Sequence, residues 1–150
     1  MPAPQVVRTA RPALHPDVVP VVLIPTAERL DTAVARSVLG PHVPRTDAVR
    51  QVGRAALLVH ALTSDPTLLL DATQDWLHQE QRREVYPVTM GAVDTLRGLG
   101  HAAVVSGAGP TVVCLTPREL VDVVVGEARS WGRGWTVLTP GVPDTGLQVV

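Results

Sequence analysis

The stretch from Ser106 to Thr111, Ser-Gly-Ala-Gly-Pro-Thr, combines residue types that can expose backbone N–H groups in a tight turn. Gly107 and Gly109 can adopt positive φ and allow close approach of other atoms. Pro110 lacks an N–H and stiffens the exit from the turn. Such a turn can bind an anion through its N–H groups, and it can also be a plain hairpin turn without a ligand. The residues alone leave both interpretations open.

The cationic side chains narrow the chemistry that is available. The sequence has 13 basic residues, all of them arginine, and no lysine. The absence of lysine excludes a Walker-type phosphate-loop lysine and a Schiff-base lysine within the chain. Arginine, whose planar guanidinium can bind carboxylate or phosphate through two hydrogen bonds, is therefore the candidate anion-binding residue.

Four polar residues could belong to such a site. Thr32 and Arg36 are one turn apart on a predicted short helix, so they share a face, although a solvated helix arginine is the simpler interpretation from the residues alone. Arg82 lies in a polar run just after a predicted helix, where a charged surface loop is the simpler interpretation. His78, at the end of that helix, could contact a ligand or interact with the helix dipole.

Other catalytic chemistries find little support. Cys114 is the single cysteine, which excludes an internal disulfide and fits a reducing cytosol; its place in a predicted buried strand indicates a core residue and not a nucleophile. The histidines lack metal-ligand spacing, so we assign no metal site. Asp71 and Asp75 are one turn apart, which allows a magnesium site, but a solvated helix face is the simpler interpretation.

The bulk composition is typical of one soluble globular domain. The chain has 150 residues, is 45% hydrophobic and has a formal net charge of −1. That charge gives no reason to expect a nucleic acid or an anionic membrane as a partner. No apolar run approaches the roughly 18 residues of a transmembrane helix. We therefore expect neither nucleic-acid binding nor a membrane segment.

The pattern of apolar residues and turn signals predicts four main strands and five helices. The strands are 18–24, 102–105, 112–115 and 135–138, with further edge strands suggested at 5–8 and 147–150. The helices are 32–39, 46–62, 65–79, 87–98 and 116–131. Close alternation of strand and helix is absent, so the sequence predicts an α+β fold, in which one antiparallel sheet has helices packed on one face.

Capping residues and apolar stripes define the predicted helices further. Thr46 or Asp47 is expected to cap the second helix, and Asp65 the third, with Pro66 as its first residue. A Thr-Pro-Arg-Glu capping box at 116–119 is expected to open the last helix. The predicted apolar stripes, in helix order, are Val49, Val52, Ala56 and Val59; Leu69, Ala72 and Trp76; Met90, Val93 and Leu96; and Leu120, Val123, Val124 and Ala128.

Four segments, 30–39, 47–54, 77–87 and 105–111, resemble the homoserine kinases of the GHMP small-molecule kinase superfamily, in family order and at family-like spacing. The Ser-Gly-Ala-Gly-Pro-Thr motif marks the superfamily. The Thr-x-x-Ala-Arg and His-Gln-x-x-Arg segments point to homoserine kinase within it. The resemblance implies that residues 1–150 form a ferredoxin-like GHMP-kinase C-terminal domain. The family's ATP-binding N-terminal half has no counterpart in this sequence, which implies a truncated reading frame or a fragment.

The resemblance also implies roles for individual residues. Arg36 and Arg82 would bind the carboxylate of L-homoserine, with Thr32 and His78 in the same pocket. The glycine-rich turn would lie near the phosphates of ATP; its residues are Ser106, Gly107, Ala108, Gly109, Pro110 and Thr111. No catalytic residue is implied in this half, and ATP and Mg²⁺ would bind mainly to the N-terminal half. The implied reaction is ATP-dependent phosphorylation of L-homoserine in cytoplasmic threonine biosynthesis.

The sequence departs from the family pattern at two positions. Asp31 stands where the family usually has Ser, which puts the start of the first helix in question. Gln51 stands where the family often has Asn, which puts a nearby polar contact in question.

A non-catalytic small-molecule-binding or assembly module, derived from a degraded GHMP kinase gene, remains an alternative, and the isolated chain is expected to be inactive. The partner can be a second copy, as a homodimer, or the missing N-terminal half.

Overall fold

The computed structural model describes residues 8–29, 31–143 and 145. In this part of the chain the strands are β1 (Val18–Pro25), β2 (Ala102–Val105), β3 (Val112–Pro117) and β4 (Trp135–Leu138). The α-helices are α1 (Thr32–Ser37), α2 (Arg45–Thr63), α3 (Leu69–Ala72), α4 (Pro87–Gly98) and α5 (Val121–Ser130). Short 3₁₀ segments occupy Pro66–Leu68, Glu80–Val85 and Arg118–Leu120. The strand suggested at 5–8 lies almost wholly outside the described residues, and the one at 147–150 entirely so.

The four strands form one antiparallel sheet in the order β2-β3-β1-β4. β1 occupies an inner position, with Val21 opposite Cys114 of β3 and Ile24 opposite Thr136 of β4. β2 and β3 form the predicted hairpin, in which Val105 pairs with Val112. With α4 between β1 and β2 and α5 between β3 and β4, the connections have the ferredoxin-like pattern. The predicted antiparallel α+β fold is therefore confirmed.

The main hydrophobic core lies between one face of the sheet and the two helices α4 and α5. Because successive strand residues point to opposite faces, alternate residues of β1 and β3 face these helices. The buried members of this core are Val21, Leu23, Ala92, Val93, Leu96, Ala103, Val112, Cys114, Val124 and Ala128. Cys114 is thus the core residue that the sequence predicts, and burial raises the pKa of its thiol to about 12. α4 begins at Pro87 with Met90, Val93 and Leu96 buried, as predicted.

A second, smaller cluster joins α2 and α3 to the β2 edge of the sheet. Its buried residues are Val18, Ala61, Leu69, Ala72 and Ala102, and partly buried leucines pack around them. Leu115, which pairs with Ala102, belongs to this cluster, whereas the adjacent pair of Ala103 and Cys114 belongs to the main core. The two clusters therefore contact opposite faces of the β2–β3 hairpin. Contrary to the prediction, the helices do not all pack on one face: α4 and α5 cover one face of the sheet, and α2 and α3 contact the other face of this hairpin.

α2 is helical where expected, but its contacts are different. The helix begins at Arg45 after Pro44, and no side chain caps it, so the predicted cap at Thr46 or Asp47 is wrong. The predicted stripe of Val49, Val52, Ala56 and Val59 faces away from the core, and Val52 is 72% exposed. α2 packs instead through residues of its second half, which are Leu57, Leu58, Ala61 and Leu62. The spacing of the apolar residues correctly predicts a helix, but the valine stripe is not its buried face, because α3 covers the opposite side of α2.

The helix predicted at 65–79 is much shorter. Asp65 accepts a hydrogen bond from the Thr67 N–H, as a cap should, but α3 ends at Ala72. The Thr73 hydroxyl donates to the Leu69 carbonyl at 2.7 Å, and beyond it the Asp75 carboxylate accepts backbone N–H groups. Such local side-chain bonds compete with a helical ladder. Trp76 is consequently not on a packed helical face; its ring is partly exposed, with the Arg50 guanidinium 4.6 Å from its centroid.

The start of α5 also departs from the prediction. Thr116 and Pro117 complete β3, and α5 begins only at Val121, after a 3₁₀ segment. The buried Thr116 hydroxyl has no hydrogen-bond partner in the described part of the chain, so the predicted capping box is wrong. Pairing of this residue with Val19 of β1 takes precedence over capping. Of the predicted stripe, Val124 and Ala128 are buried, whereas Leu120 and Val123 are exposed.

Substitutions can test that Leu23 of β1 is buried and that Val52 of α2 is exposed. Leu23→Ala should lower the free energy of unfolding by about 2–5 kcal/mol, because Leu23 is fully buried and a cavity would remain. Val52→Ala should change it by less than about 0.5 kcal/mol, because its side chain is exposed. Urea denaturation followed by tryptophan fluorescence measures both. Equal losses for the two variants would contradict the described packing of α2.

Candidate functional site

The tip of the glycine-rich turn, Gly107 and Ala108, leaves two backbone donors free. The Gly109 N–H donates to the Ser106 carbonyl at 3.0 Å, and the Ser106 N–H donates to the Thr111 carbonyl at 2.7 Å. Gly107 and Gly109 have φ values of 60° and 84°, and the bond from Gly109 to Pro110 is cis. Within the described residues, the N–H groups of Gly107 and Ala108 form no hydrogen bond. These two groups are therefore available to an anionic ligand.

The turn rests on a buried tyrosine. A Cβ atom on Gly109 would lie 3.0 Å from Cε1 of Tyr86 and 3.0 Å from Cγ1 of Val105, so only glycine fits there. Tyr86 is fully buried, and its hydroxyl lacks a hydrogen-bond partner among the described residues. Burial raises the pKa of Tyr86, and the positive charge of Arg82 opposes that shift.

Arg82 connects the turn to α1. Its side chain is buried, with the residue only 7% exposed, which overturns the surface-loop interpretation. Nε donates to the Ala35 carbonyl at 2.8 Å, and Nη1 lies 3.5 Å from the Gly107 carbonyl that accepts from it. Both partners are neutral, and within the described residues no carboxylate pairs with Arg82. The guanidinium is held in place while its charge stays uncompensated.

α1 presents Arg36 beside this group. Asp31 caps the helix by accepting the Ala33 N–H at 2.7 Å, so an aspartate performs well at the position where the resemblance leads one to expect serine. Ala35 is buried, and the next residue, Arg36, is exposed. Among the described residues, the Arg36 side chain has no hydrogen bond or ion pair. Thr32, at the start of α1, is exposed.

The segment between α3 and the 3₁₀ turn at Glu80–Val85 supplies two further polar groups. The amide oxygen of the buried Gln79 accepts the Val105 N–H at 2.6 Å, which ties the segment to the end of β2. Asp75 accepts the N–H groups of Leu77 and His78, and its other oxygen lies 3.5 Å from Nδ1 of His78. Upstream, Gln51 accepts the Trp76 N–H at 2.9 Å, so glutamine makes a polar contact of its own here.

These groups surround one pocket of about 270 Å³. Its lining consists of Arg36, Asp75, His78, Gln79, Arg82, Val105, Gly107 and Ala108. The pocket thus unites Arg36, His78 and Arg82 with the tip of the turn, whereas Thr32 and the other four turn residues do not line it. Sequence reasoning did not assign Asp75 or Gln79 to the site. Gln79 belongs to the His-Gln-x-x-Arg segment, and that segment could have indicated its place in the site. Asp75 was placed on the helix predicted at 65–79, which ends at Ala72 in the structure.

The turn is also held from its other end. The Thr89 hydroxyl donates to the Pro110 carbonyl at 2.7 Å and contacts the Glu28 carboxylate. Glu28 in turn accepts the N–H groups of Val88 and Thr89 at the start of α4. Glu28 therefore connects the segment before α1, the start of α4 and the turn.

Arg83, the neighbour of Arg82, points elsewhere. It pairs with Glu80 at 2.6 Å and with Asp94 at 2.7 Å, and hydrogen bonds to these carboxylates raise its pKa. The side chain is partly exposed and does not line the pocket. The charge of Arg82 is thus uncompensated among the described residues, whereas Glu80 and Asp94 neutralise the charge of Arg83.

Among the described residues, no group of three or more histidine, cysteine, aspartate or glutamate side chains could hold a metal ion. None of the helices described is long and apolar enough to cross a membrane. Another depression, of about 660 Å³, is lined by residues between 11 and 20, by Arg118 and by 141–143, and by none of Arg36, Arg82 and the glycine-rich turn.

In this ferredoxin-like α+β domain, free N–H groups of a glycine turn lie in one pocket with two arginines, an arrangement that suits an anionic ligand. Among known families, the one described as GHMP kinases C terminal matches residues 45–134. The chain belongs to this family.

Individual relatives are consistent with this assignment. Homoserine kinase of Streptomyces avermitilis is 50% identical over 133 residues, which is 89% of this chain and 42% of that protein. Homoserine kinase of Cutibacterium acnes is 50% identical over 112 residues, 74% of this chain and 37% of that protein. The chain thus spans less than half the length of these relatives. A crystal structure of homoserine kinase from Cytophaga hutchinsonii has the same fold, with a TM-score of 0.76 at 20% identity, over 88% of this chain and 44% of that one.

Close packing under the turn gives a test of its geometry. Gly109→Ala should lower the free energy of unfolding by about 1–3 kcal/mol, because alanine at positive φ is strained and its Cβ would meet Tyr86. Gly53→Ala is the matched control: it lies in α2 with open space around it, and should raise stability by about 0.5–1 kcal/mol. Chemical denaturation measures both. An unchanged stability for Gly109→Ala would contradict the described contact.

Proposed function

We propose that this chain is the substrate-recognition part of a homoserine kinase, which transfers a phosphoryl group from ATP to the side-chain hydroxyl of L-homoserine. The relatives named above support the proposal through their identity with most of this chain. Because the chain spans about 42% of the length of the first of these relatives, the remaining parts of the reaction would be performed by residues outside it. In this proposal the enzyme acts in the cytoplasm, in threonine biosynthesis.

The observation that carries the proposal is the convergence of Arg36 and Arg82 on one pocket beside the glycine turn. The two arginines are on separate elements, and neither has a carboxylate partner among the described residues. Two uncompensated guanidinium groups in one pocket favour a carboxylate ligand, which accepts charge-assisted hydrogen bonds from both. In the proposed enzyme Arg82, fixed by its backbone contacts, would orient the substrate carboxylate, and Arg36 would add a second bond.

The free donors of the turn fit a different part of the reaction. The N–H groups of Gly107 and Ala108 suit a phosphate oxygen, so we propose that they face ATP. ATP with Mg²⁺ would supply the phosphoryl group and neutralise its charge. The described residues offer no cluster of metal-binding side chains, and in the proposed enzyme the Mg²⁺ ligands belong mainly to the part outside this chain.

The first expected outcome concerns the arginines. In an enzyme in which this chain is joined to the N-terminal part of a relative, Arg36→Ala should weaken L-homoserine binding by about 2–4 kcal/mol, because a charged hydrogen bond is lost. Arg83→Ala should change binding little, because Arg83 is paired with Glu80 and Asp94 outside the pocket. The Kd for L-homoserine, measured by calorimetry, reports both. Equal effects of the two substitutions would refute the assignment of Arg36.

The second expected outcome concerns the chain alone. The isolated 150-residue chain should phosphorylate no L-homoserine. It contains no lysine, and it lacks the Gly-Leu-Gly-Ser-Ser phosphate loop that the family resemblance implies for the N-terminal half. A coupled assay of ADP release, with and without L-homoserine, measures this. Turnover above that of a Thr32→Ala, Arg36→Ala double variant would contradict the expectation. Absence of L-homoserine binding, both alone and in the joined enzyme, would favour the non-catalytic assembly module.

A further inference from the structure

The Thr89 hydroxyl is the closest side-chain support of the glycine-rich turn. Thr89 lies in the first turn of α4 and is fully buried. Its Oγ1 lies 2.7 Å from the Pro110 carbonyl oxygen, whereas Nη1 of Arg82 lies 3.5 Å from the Gly107 carbonyl oxygen. The first distance is typical of a hydroxyl hydrogen bond, and the second is at the outer limit for one. Among the described side chains that donate to the turn, Thr89 therefore makes the stronger bond.

Glu28 fixes the place of this hydroxyl. α4 begins at Pro87, and the side chain of its N-cap residue, Tyr86, accepts none of the N–H groups that the first turn leaves unsatisfied. Glu28 accepts the Val88 N–H at 3.2 Å on one carboxylate oxygen and the Thr89 N–H at 3.0 Å on the other. The second oxygen also contacts the Thr89 hydroxyl. Because a negative charge is favourable at a helix N-terminus, Glu28 holds both the backbone and the side chain of Thr89.

The bond to Pro110 restrains the same short loop that carries the free donors. Pro110 has no N–H, so its carbonyl is the backbone group through which the protein can hold it. Gly107 and Ala108, whose N–H groups are free, precede it in the turn. An anion that binds to two neighbouring N–H groups binds well when both already point toward it, since reorienting a loop costs free energy on binding.

We infer that Thr89, held by Glu28, is a positioning residue for the binding of phosphate by the glycine-rich turn. The inference rests on the proposed function, in which the turn faces the phosphates of ATP. The Thr89 hydroxyl restrains the loop so that the N–H groups of Gly107 and Ala108 meet a phosphate oxygen without rearrangement. Glu28 acts through Thr89. Because Glu28 comes shortly before α1 in the chain, the same carboxylate connects the segment that leads to Arg36 with the turn.

The test uses the 150-residue chain, with inorganic triphosphate as the probe of the turn. Titrations followed by the amide NMR signals of Gly107 and Ala108 give the Kd, and ¹⁵N relaxation gives the order parameters of the same amides; neither requires activity. Thr89→Val removes the hydroxyl with little change of shape, and Thr89→Ser restores it. Thr95→Val is the matched control, because the Thr95 hydroxyl, on the same helix, donates to the Gly91 carbonyl and not to the turn.

In Thr89→Val we expect the Kd for triphosphate to rise about fivefold, which corresponds to one net hydrogen bond. The order parameters of the Gly107 and Ala108 amides should fall from about 0.85 to below about 0.6, as in a flexible loop. Thr89→Ser should restore both quantities, and Thr95→Val should change neither. If Thr89→Val does not fold, Thr89→Ala, which removes the same hydroxyl, replaces it.

Glu28 gives a second test, in which two effects have opposite signs. Removal of its negative charge would by itself favour the binding of an anion. We expect Glu28→Ala to raise the Kd for triphosphate nevertheless, because Thr89 loses its support. In a Thr89→Val background, Glu28→Ala should raise the Kd no further, since the hydroxyl through which it acts is already gone.

The outcomes separate the inference from the proposed function. Binding of triphosphate with an unchanged Kd and unchanged order parameters in Thr89→Val overturns the role of Thr89 and leaves the turn standing as a phosphate site. Equal losses in Thr95→Val, or no restoration in Thr89→Ser, also overturn it. A rise in Kd that Glu28→Ala still causes in the Thr89→Val background overturns the action of Glu28 through Thr89. Failure of the wild-type turn to bind triphosphate overturns both the inference and the phosphate role in the proposed function.

Discussion

The buried guanidinium of Arg82 is the constraint on which the site depends. A charge removed from water must be hydrogen-bonded, and here backbone carbonyls of Ala35 and Gly107 provide the acceptors. Because these acceptors are neutral dipoles, they hold the group in position without cancelling its charge. A carboxylate partner would have given a closed ion pair with nothing left for a ligand. The same two bonds fix the distance between α1 and the glycine turn, so the position of Arg36 follows from the burial of Arg82.

The glycine-rich turn is held at three points, none of which uses the N–H groups of Gly107 and Ala108. Arg82 donates to the Gly107 carbonyl, Thr89 donates to the Pro110 carbonyl, and the Tyr86 ring occupies the space that a Cβ on Gly109 would need. The N–H groups of Gly107 and Ala108 are left for other partners. These contacts give a short loop the rigidity that ligand binding requires.

The sequence predicts elements better than it predicts their packing. All four main strands, and the hairpin around the glycine turn, follow from short runs of β-branched and small residues. The valine stripe of α2 illustrates the limit: the spacing of Val49, Val52 and Val59 indicates a helix, but which face finds a neighbour depends on α3 and the β2 edge, far along the chain. For the site, the residues alone favoured an exposed Arg82, because burial by Ala35 and Gly107 has no local signature. Asp75 was placed with Asp71 on one predicted helix; because that helix ends at Ala72, the position of Asp75 in the pocket did not follow from the sequence.

The inner position of β1 sets the order in which the domain can be completed during synthesis. The partners of this strand, β3 and β4, are synthesised some ninety to one hundred and twenty residues after it, beginning at Val112 and Trp135. Until then β1 has two unpaired edges and an apolar face that other chains can contact. α2 and α3, with mainly local contacts, can form in the meantime, whereas the sheet closes only when β4 has emerged. Between the synthesis of β1 and that of β4, the nascent domain therefore depends on protection of one strand against aggregation.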